Sequence, residues 1–518
     1  DLQFSYQNFG GFVRGKYWYD SALDNNAVEY GHTPTTANNG VNGAALTFND
    51  DTASALDDSD FDDLSKAKGA TILDAFVYGS FELGEMPLDV RLGKQVVSWG
   101  ESTFIRGGVN SINPVDINAF VRPGAEIKEG LLPVNMAFAN IGLTDDLSME
   151  AFYQLEFQET VIPGCGTYFS TSDTAAPGCN TVSVGGGITS VARNADDVRE
   201  PSDDGQFGLA FRYISEALGD TEFGFYAMNI HSRAPAAVGN TTDTNQATIT
   251  AISTGAYTAS VNAGLSHEQA LVNAGGAVVL TTAQTANYAI AYPEDQIISG
   301  ISFATNVGSV ALSGEVSHSI DTPVQINGVS FISTLLGLST NSTELTALSQ
   351  QADIDIEAYR LFDISQAQVT AIKFFDQVAG ASRIALVGEV GYTYIHDFGE
   401  ADTDIKYGRS DVYGAPAGDA TDDGFTTESS YGYRLRVVGD YSDVFAGVNL
   451  KPTIAWSDDV KGYSNPGGNF SEGQQKLGFS VQATYLETYN ASIAYTQYMG
   501  GDYSVVSDRD FASMSIGM

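Results

Sequence analysis

The first thing this sequence lacks is a long apolar run. No stretch approaches the roughly 18 uninterrupted apolar residues that a membrane-spanning helix needs, and mean hydropathy is close to zero, at −0.08. Proteins that cross a membrane by helices are excluded. Positive charge is also scarce: 24 Lys and Arg stand against 64 Asp and Glu, a formal net charge of −40. Such a surface repels phosphate backbones, so nucleic acid is not a partner. The acid concentrates in segments that read as loops, such as Asp57, Asp58, Asp60, Asp62 and Asp63, or Asp419, Asp422 and Asp423. The first reading of these is a solvated surface. The second is loop-bound divalent cations such as calcium, bridging to lipopolysaccharide; no other cofactor is expected.

Cysteine is limited to Cys165 and Cys179, both in one loop rich in Gly, Ser, Thr and Asn. Two cysteines so close together, with none elsewhere, suggest a single local disulfide in an oxidising compartment. No His or second Cys pair stands beside them, which argues against a metal site. The five His (His32, His231, His267, His318 and His396) share no metal-ligand spacing with one another or with Cys. A Gly-x-Ser-x-Gly elbow and a phosphate-binding glycine loop are both missing. No enzymatic activity is expected. The chain opens at Asp1 without a signal peptide, so any leader is taken to have been removed or to lie outside it.

What the sequence does have is 55 Gly, 28 Phe and 26 Tyr, arranged in alternation. In 147–158, Leu147, Met149, Ala151, Tyr153, Leu155 and Phe157 form one face, and Ser148, Glu150, Gln154, Glu156 and Gln158 the other. A strand points alternate side chains to opposite faces, so this segment has one oily and one wet wall. Phe207, Leu209, Phe211 and Tyr213 repeat the pattern, as do Tyr431, Tyr433, Leu435 and Val437, and Leu477, Phe479, Val481, Ala483 and Tyr485. Strands are expected at 11–20, 70–83, 88–99, 134–143, 147–157, 205–216, 222–232, 295–306, 309–319, 365–376, 382–396, 428–441, 443–458, 475–486, 489–499 and 510–518. Short turns and long loops alternate between them; the turn between 441 and 443 falls around Ser442. Tyrosines near strand ends, such as Tyr392 with Tyr394 and Tyr431 with Tyr433, suit an interfacial girdle. The reading is an all-β protein, a transmembrane antiparallel up-and-down β-barrel of about 16 strands in the outer membrane of a Gram-negative bacterium. A soluble sandwich would not place every long loop at one end. One barrel spans 1–518, with external loops at 158–204, 233–294, 320–364 and 397–427.

Several ordered motifs carry a family resemblance. They are Leu73-Asp74-Ala75-Phe76-Val77-Tyr78-Gly79, Gly84-Glu85-Met86-Pro87-Leu88, Arg91-Leu92-Gly93-Lys94 and Gly100-Glu101-Ser102. Later come Ser313-Gly314-Glu315-Val316-Ser317, Leu386-Val387-Gly388-Glu389-Val390, Tyr431-Gly432-Tyr433-Arg434-Leu435 and Gly467-Gly468-Asn469-Phe470. Over nearly the whole chain these resemble the proteobacterial family catalogued as "domain of unknown function 1302". The resemblance implies further strand before Leu2–Tyr6, a turn at 7–10, and an intact barrel of about 18 strands, again an even number. The rival reading is that Asp1 is the mature start.

Deduced inward faces carry both signs, with Arg14, Lys16, Arg91, Arg212, Arg434 and Arg436 against Glu82, Glu150, Glu156, Glu315 and Glu389. Either they pair across neighbouring strands or they line a pore. Loop 100–133, with its prolines, is the candidate constriction, and Arg106, Arg122, Glu126 and Glu129 are expected to face the pore. In loop 320–364, Phe331, Ile332, Leu335 and Leu336 form an apolar patch that reads as a hydrophobic capture site, unless the loops fold on one another and bury it. The expected function is a channel or transporter for hydrophobic or amphipathic small molecules, gated by inserted and external loops. The alternatives are a general or ion-selective aqueous porin, and a docking barrel of a trans-envelope export assembly. Expected partners are outer-membrane lipid and lipopolysaccharide, small hydrophobic cargo, and a periplasmic lipoprotein or inner-membrane transporter.

Overall fold

The computed structural model describes residues 1–518 except 26, 29–32, 35–47, 50–53, 122–129, 186, 195–196, 400–403, 416–420 and 466. The alternating segments become the wall. In chain order its strands are β1 (Leu2–Tyr6), β2 (Phe9–Tyr19), β3 (Lys68–Leu83), β4 (Met86–Gln95), β5 (Val134–Gly142) and β6 (Leu147–Gln154). Then follow β7 (Phe207–Ser215), β8 (Thr221–Ile230), β9 (Gln296–Val307), β10 (Val310–Gln325), β11 (Tyr359–Asp376) and β12 (Arg383–Ile395). The last are β13 (Ser429–Phe445), β14 (Val448–Lys461), β15 (Gln475–Tyr485), β16 (Tyr489–Met499) and β17 (Phe511–Gly517). They form one 17-stranded sheet in which each strand pairs antiparallel with the next. Every strand from β2 to β16 is thereby hydrogen-bonded on both sides, as strands that cross lipid must be.

The alternation sorts side chains as expected. Val316, Val369 and Val390 are 51%, 47% and 59% exposed on the outer face, while their neighbours Glu315, Gln368 and Glu389 are 3%, 2% and 1% exposed inside. Leu2–Tyr6 is a strand paired with β2 through a turn at Gln7 and Asn8, where Gln7 has φ 54°, as the family resemblance implied. Two boundaries differ from the sequence expectation. The β13–β14 turn falls at Ala446–Gly447 rather than near Ser442, because these two residues take the left-handed conformation (φ 49° and 82°). β10 and β11 run on beyond the expected 319 and 365 after a register shift between Ser319 and Thr322.

The long loops at one rim have a core of their own. Thr181–Val184, Thr189–Arg193, Asn287–Ala291, Ala236–Asn240 and Asp355–Glu357 form a second, five-stranded sheet. Four helices accompany it: α1 (Gln246–Asn262), α2 (His267–Thr282), α3 (Gly328–Leu335) and α4 (Thr343–Ser349). Each starts at a side-chain cap (Asn245, Ser266, Asn327 and Ser342) that accepts an otherwise unpaired amide. None of the helices among the described residues is long and apolar enough to cross a membrane.

Candidate functional site: a loop clamped inside the barrel

After β4 the chain does not rise into the external layer but turns into the lumen. Asn113 closes the base of this loop, accepting from the Val97 amide at 3.0 Å and donating to the Leu132 carbonyl at 2.8 Å. Val97, Trp99, Val109 and Ile112 of the loop pack on Met136, Phe138, Phe152, Tyr226, Met228 and Ile298 from the inner faces of β5, β6, β8 and β9. This part of the inner wall is therefore dry. Trp99 is 1% exposed. Its ring lies 5.1 Å from Phe152 and 5.8 Å from Tyr226, and its indole N–H donates to Glu150 Oε2 at 2.7 Å. Close approach needs bare backbone on the wall: a Cβ at Gly300 would stand 2.4 Å from Val109, and one at Gly391 would stand 2.3 Å from Ile105.

Two carboxylates hold the tip of the loop. Glu315 on β10 accepts from the amides of Glu101 (3.0 Å) and Val109 (3.1 Å), and from Gln368 Nε2 (3.1 Å). Glu389 on β12 accepts from the amides of Thr103 (2.8 Å), Phe104 (2.6 Å) and Ile105 (2.8 Å), and from the Thr370 hydroxyl (2.9 Å). A buried carboxylate is tolerable only with such partners. For these two acids, pairing with arginines on neighbouring strands is corrected: loop amides take that place, although Arg434 is the Cα partner of Glu389.

The other lumen residues divide. Arg212 does pair, with Glu150 (3.2 Å) and Glu222 (2.8 Å). Arg434 pairs with Asp459 at 2.7 Å and donates to the Asn469 carbonyl at 2.8 Å. Arg91 instead lies over the Phe138 ring at 4.2 Å. Arg436 stands on the same inner face as Arg434, two residues along the strand.

Of the expected constriction residues, Arg106 is at the tip of the clamped loop and exposed. Burial of its surroundings, then the neighbouring Arg434 charge, hold its guanidinium below the usual value. Arg122, Glu126 and Glu129 lie outside the described residues. The expected apolar capture surface is corrected: Phe331, Ile332, Leu335 and Leu336 are 1%, 6%, 0% and 2% exposed, and form the core under the second sheet with Tyr288 and Ile356. Loops folding on one another bury it, since so much apolar area is stable only out of water. Cys165 and Cys179 are joined, their Cα atoms 5.2 Å apart. Trp99, Gln368, Asn469 and Lys476 belong to the site beyond the residues expected from the sequence. One signal was available for the first: one of only three Trp stands directly before Gly100-Glu101-Ser102.

The model of the family described as "Protein of unknown function (DUF1302)" matches residues 1–518. The chain belongs to that family. No curated protein matches the sequence. Solved structures similar to this member of DUF1302 include OccAB1 of Acinetobacter baumannii, at 11% identity over 86% of this chain and 76% of that one, with a TM-score of 0.35. The outer membrane channel DcaP of Acinetobacter baumannii is similar at 9% identity over 98% and 94%, TM-score 0.31. OpdK of Pseudomonas aeruginosa with vanillate is similar at 8% over 98% and 91%, TM-score 0.33.

Independently of those likenesses, the DUF1302 chain has an outer-membrane barrel's architecture. Its wall is an antiparallel meander with an apolar outer face, short turns at one rim and long loops at the other.

Proposed function

We propose that this barrel is an outer-membrane channel for small amphipathic molecules, narrowed by the loop after β4 and covered at its outer mouth by the folded external loops. The observation that carries this reading is the double clamp of Glu315 and Glu389 on the amides of 101–109. A barrel needs no such insertion to close its sheet. A loop fixed across the interior sets what passes.

The apolar side chains of the loop and of β5, β6, β8 and β9 are packed on one another and closed to solute. The facing wall of β15–β17 presents small polar groups, Ser480, Gln482, Thr484, Ser492, Ser513 and Ser515, in paired register. At the loop tip the half-buried Phe104 stands beside the exposed Arg106, and this apolar and charged pair opposite a polar wall suits an amphipathic solute. The polar wall also favours a second reading, an aqueous porin, in which the loop only trims the bore.

The test is single-channel recording of the full-length protein in a planar bilayer, with liposome flux of an amphipathic solute beside it. Small conductance with solute flux supports the proposal. Large, simple ohmic conductance favours the porin, and silence in both assays overturns the channel reading.

A further inference from the structure

Across β12 to β16, Glu389, Arg434, Ser457, Lys476 and Tyr498 are successive Cα partners. They form one row on the inner face, at intervals of roughly 4.8 Å between strands. The row has an acid at one end, but that acid is committed to the loop amides and Thr370. Arg434 is committed too, to Asp459, to the Asn469 carbonyl and to the Tyr433 carbonyl. Lys476 is not. Among the described residues no carboxylate lies within ion-pair distance of it, and its neighbour is the Tyr498 ring, 5.3 Å from the ammonium to the ring centre.

Arg106 arrives at this row from the clamped loop. Its backbone is fixed on both sides: the amide donates to Asn469 Oδ1 at 3.0 Å, and the carbonyl accepts from Asn469 Nδ2 at 2.8 Å and Gln366 Nε2 at 3.1 Å. Its guanidinium makes no hydrogen bond or ion pair among the described residues. Asn469, which holds Arg106 by its main chain, also accepts from Arg434, and Lys476 stands two strands along the row from Arg434, roughly 10 Å away. Among the described residues, two cations without an ion-pair partner thus stand near a third, inside a protein of net charge −40. Among the described residues the nearby acids are committed elsewhere: Glu389 to the loop amides, Asp459 to Arg434 and Asp510 to the Tyr498 amide. Both side chains are exposed to the lumen, and like charges gathered there favour an incoming anion.

We propose that Arg106 and Lys476 form an oxyanion station in the lumen, which takes the carboxylate, sulfonate or phosphate head of an amphipathic cargo, with Tyr498 beside its apolar part. This rests on the channel reading and narrows it to anionic amphiphiles. Arg106 supplies a planar fork that matches an oxyanion, Lys476 a point charge. The remote anchoring by Asn469 and Gln366 fixes the main chain, so the guanidinium is spared for the ligand.

The test uses the full-length protein in a planar bilayer under a KCl gradient, with decanoate, decyltrimethylammonium and inorganic phosphate as probes. The variants are R106Q, K476Q and the pair; R383Q, at the short-turn rim, is the control. Heat-modifiable gel mobility verifies folding, which R106Q retains because the anchoring contacts are to backbone. The expected result is anion preference, with decanoate interrupting the current at far lower concentration than decyltrimethylammonium. The double variant should lose the preference and need about tenfold more decanoate. Cation preference in the parent, or an unchanged double variant, overturns the station while leaving the channel reading intact. Equal potency of phosphate and decanoate overturns the amphiphile assignment and keeps a simple anion site. Neither current nor decanoate flux into liposomes overturns the channel reading itself, and the station with it.

Discussion

Glu389 accepts the amide proton of Ile105 at 2.8 Å, joining residues 284 apart in the sequence. The same carboxylate takes the amides of Thr103 and Phe104. Holding a loop by its main chain makes its position independent of most of its side chains, and those are then available to face the lumen.

Glu389→Gln puts an amide donor where three N–H groups already point, and Glu315→Gln does the same to two. Each unsatisfied buried donor costs about 1–3 kcal/mol. Both variants should keep the folded barrel's gel mobility but show larger and noisier unitary currents. Currents identical to the parent's would mean that the apolar core alone holds the loop.

Gly391→Val places carbon where Ile105 stands, since a Cβ alone would fall 2.3 Å from it. The loop tip should be displaced, with the conductance change seen for Glu389→Gln. Ile105→Ala should relieve the clash, so a double-mutant cycle should give a coupling of about 0.5–3 kcal/mol. Additive effects would disprove the contact.

Trp99→Ala removes the largest side chain between loop and wall, at a cost of about 3–5 kcal/mol. Hydrogen exchange should quicken in 97–112 and stay slow in β10–β14. Uniform loosening of the whole sheet would contradict a local role.

Asp62, in the segment before β3, has its carboxyl pushed up from 3.8 to about 7, chiefly by burial and then by Glu159. The folded state therefore holds this proton more tightly than the unfolded state does. The stabilisation is complete below the unfolded value and is lost as pH rises through about 7. Protection of amides in 57–67, corrected for the intrinsic rise of exchange with pH, should fall between about pH 4 and 7, and Asp62→Asn should flatten that profile. A parent profile that is already flat would refute the assignment.

Reduction of Cys165–Cys179 should act at the external rim only. The ring of Phe61 lies against Gly164 and Gly178 of this loop, and Tyr168 donates to the Asp510 carbonyl at 2.9 Å near the start of β17. Opening a loop of this size removes about 3 kcal/mol of constraint. Protease should cut within 165–179 after reduction while the melting of the barrel is unchanged. A lowered barrel melting temperature would show that the strap supports the wall.

The sequence alone determined the wall. Alternation is a local property: whether Ile493 or Ser492 faces lipid follows from a period of two, and it survives without knowledge of any partner. The local disulfide was legible for the same reason, and the inward acids Glu315 and Glu389 were read on the correct face. The sequence could not show what those acids hold, because their partners are amides that every residue carries and that lie hundreds of positions away. Nor did it reveal α1 and α2. Their Ala, Thr, Ser and Gly residues make no apolar stripe, and capping at Asn245 and Ser266 with packing against one another holds them instead. Only the tertiary structure decided that Phe331 and Leu335 are core rather than capture surface, and that Arg106 is held at Asn469 beside Arg434. Burial and charge proximity depend on which distant segments fold back, and pattern along one chain does not carry that information.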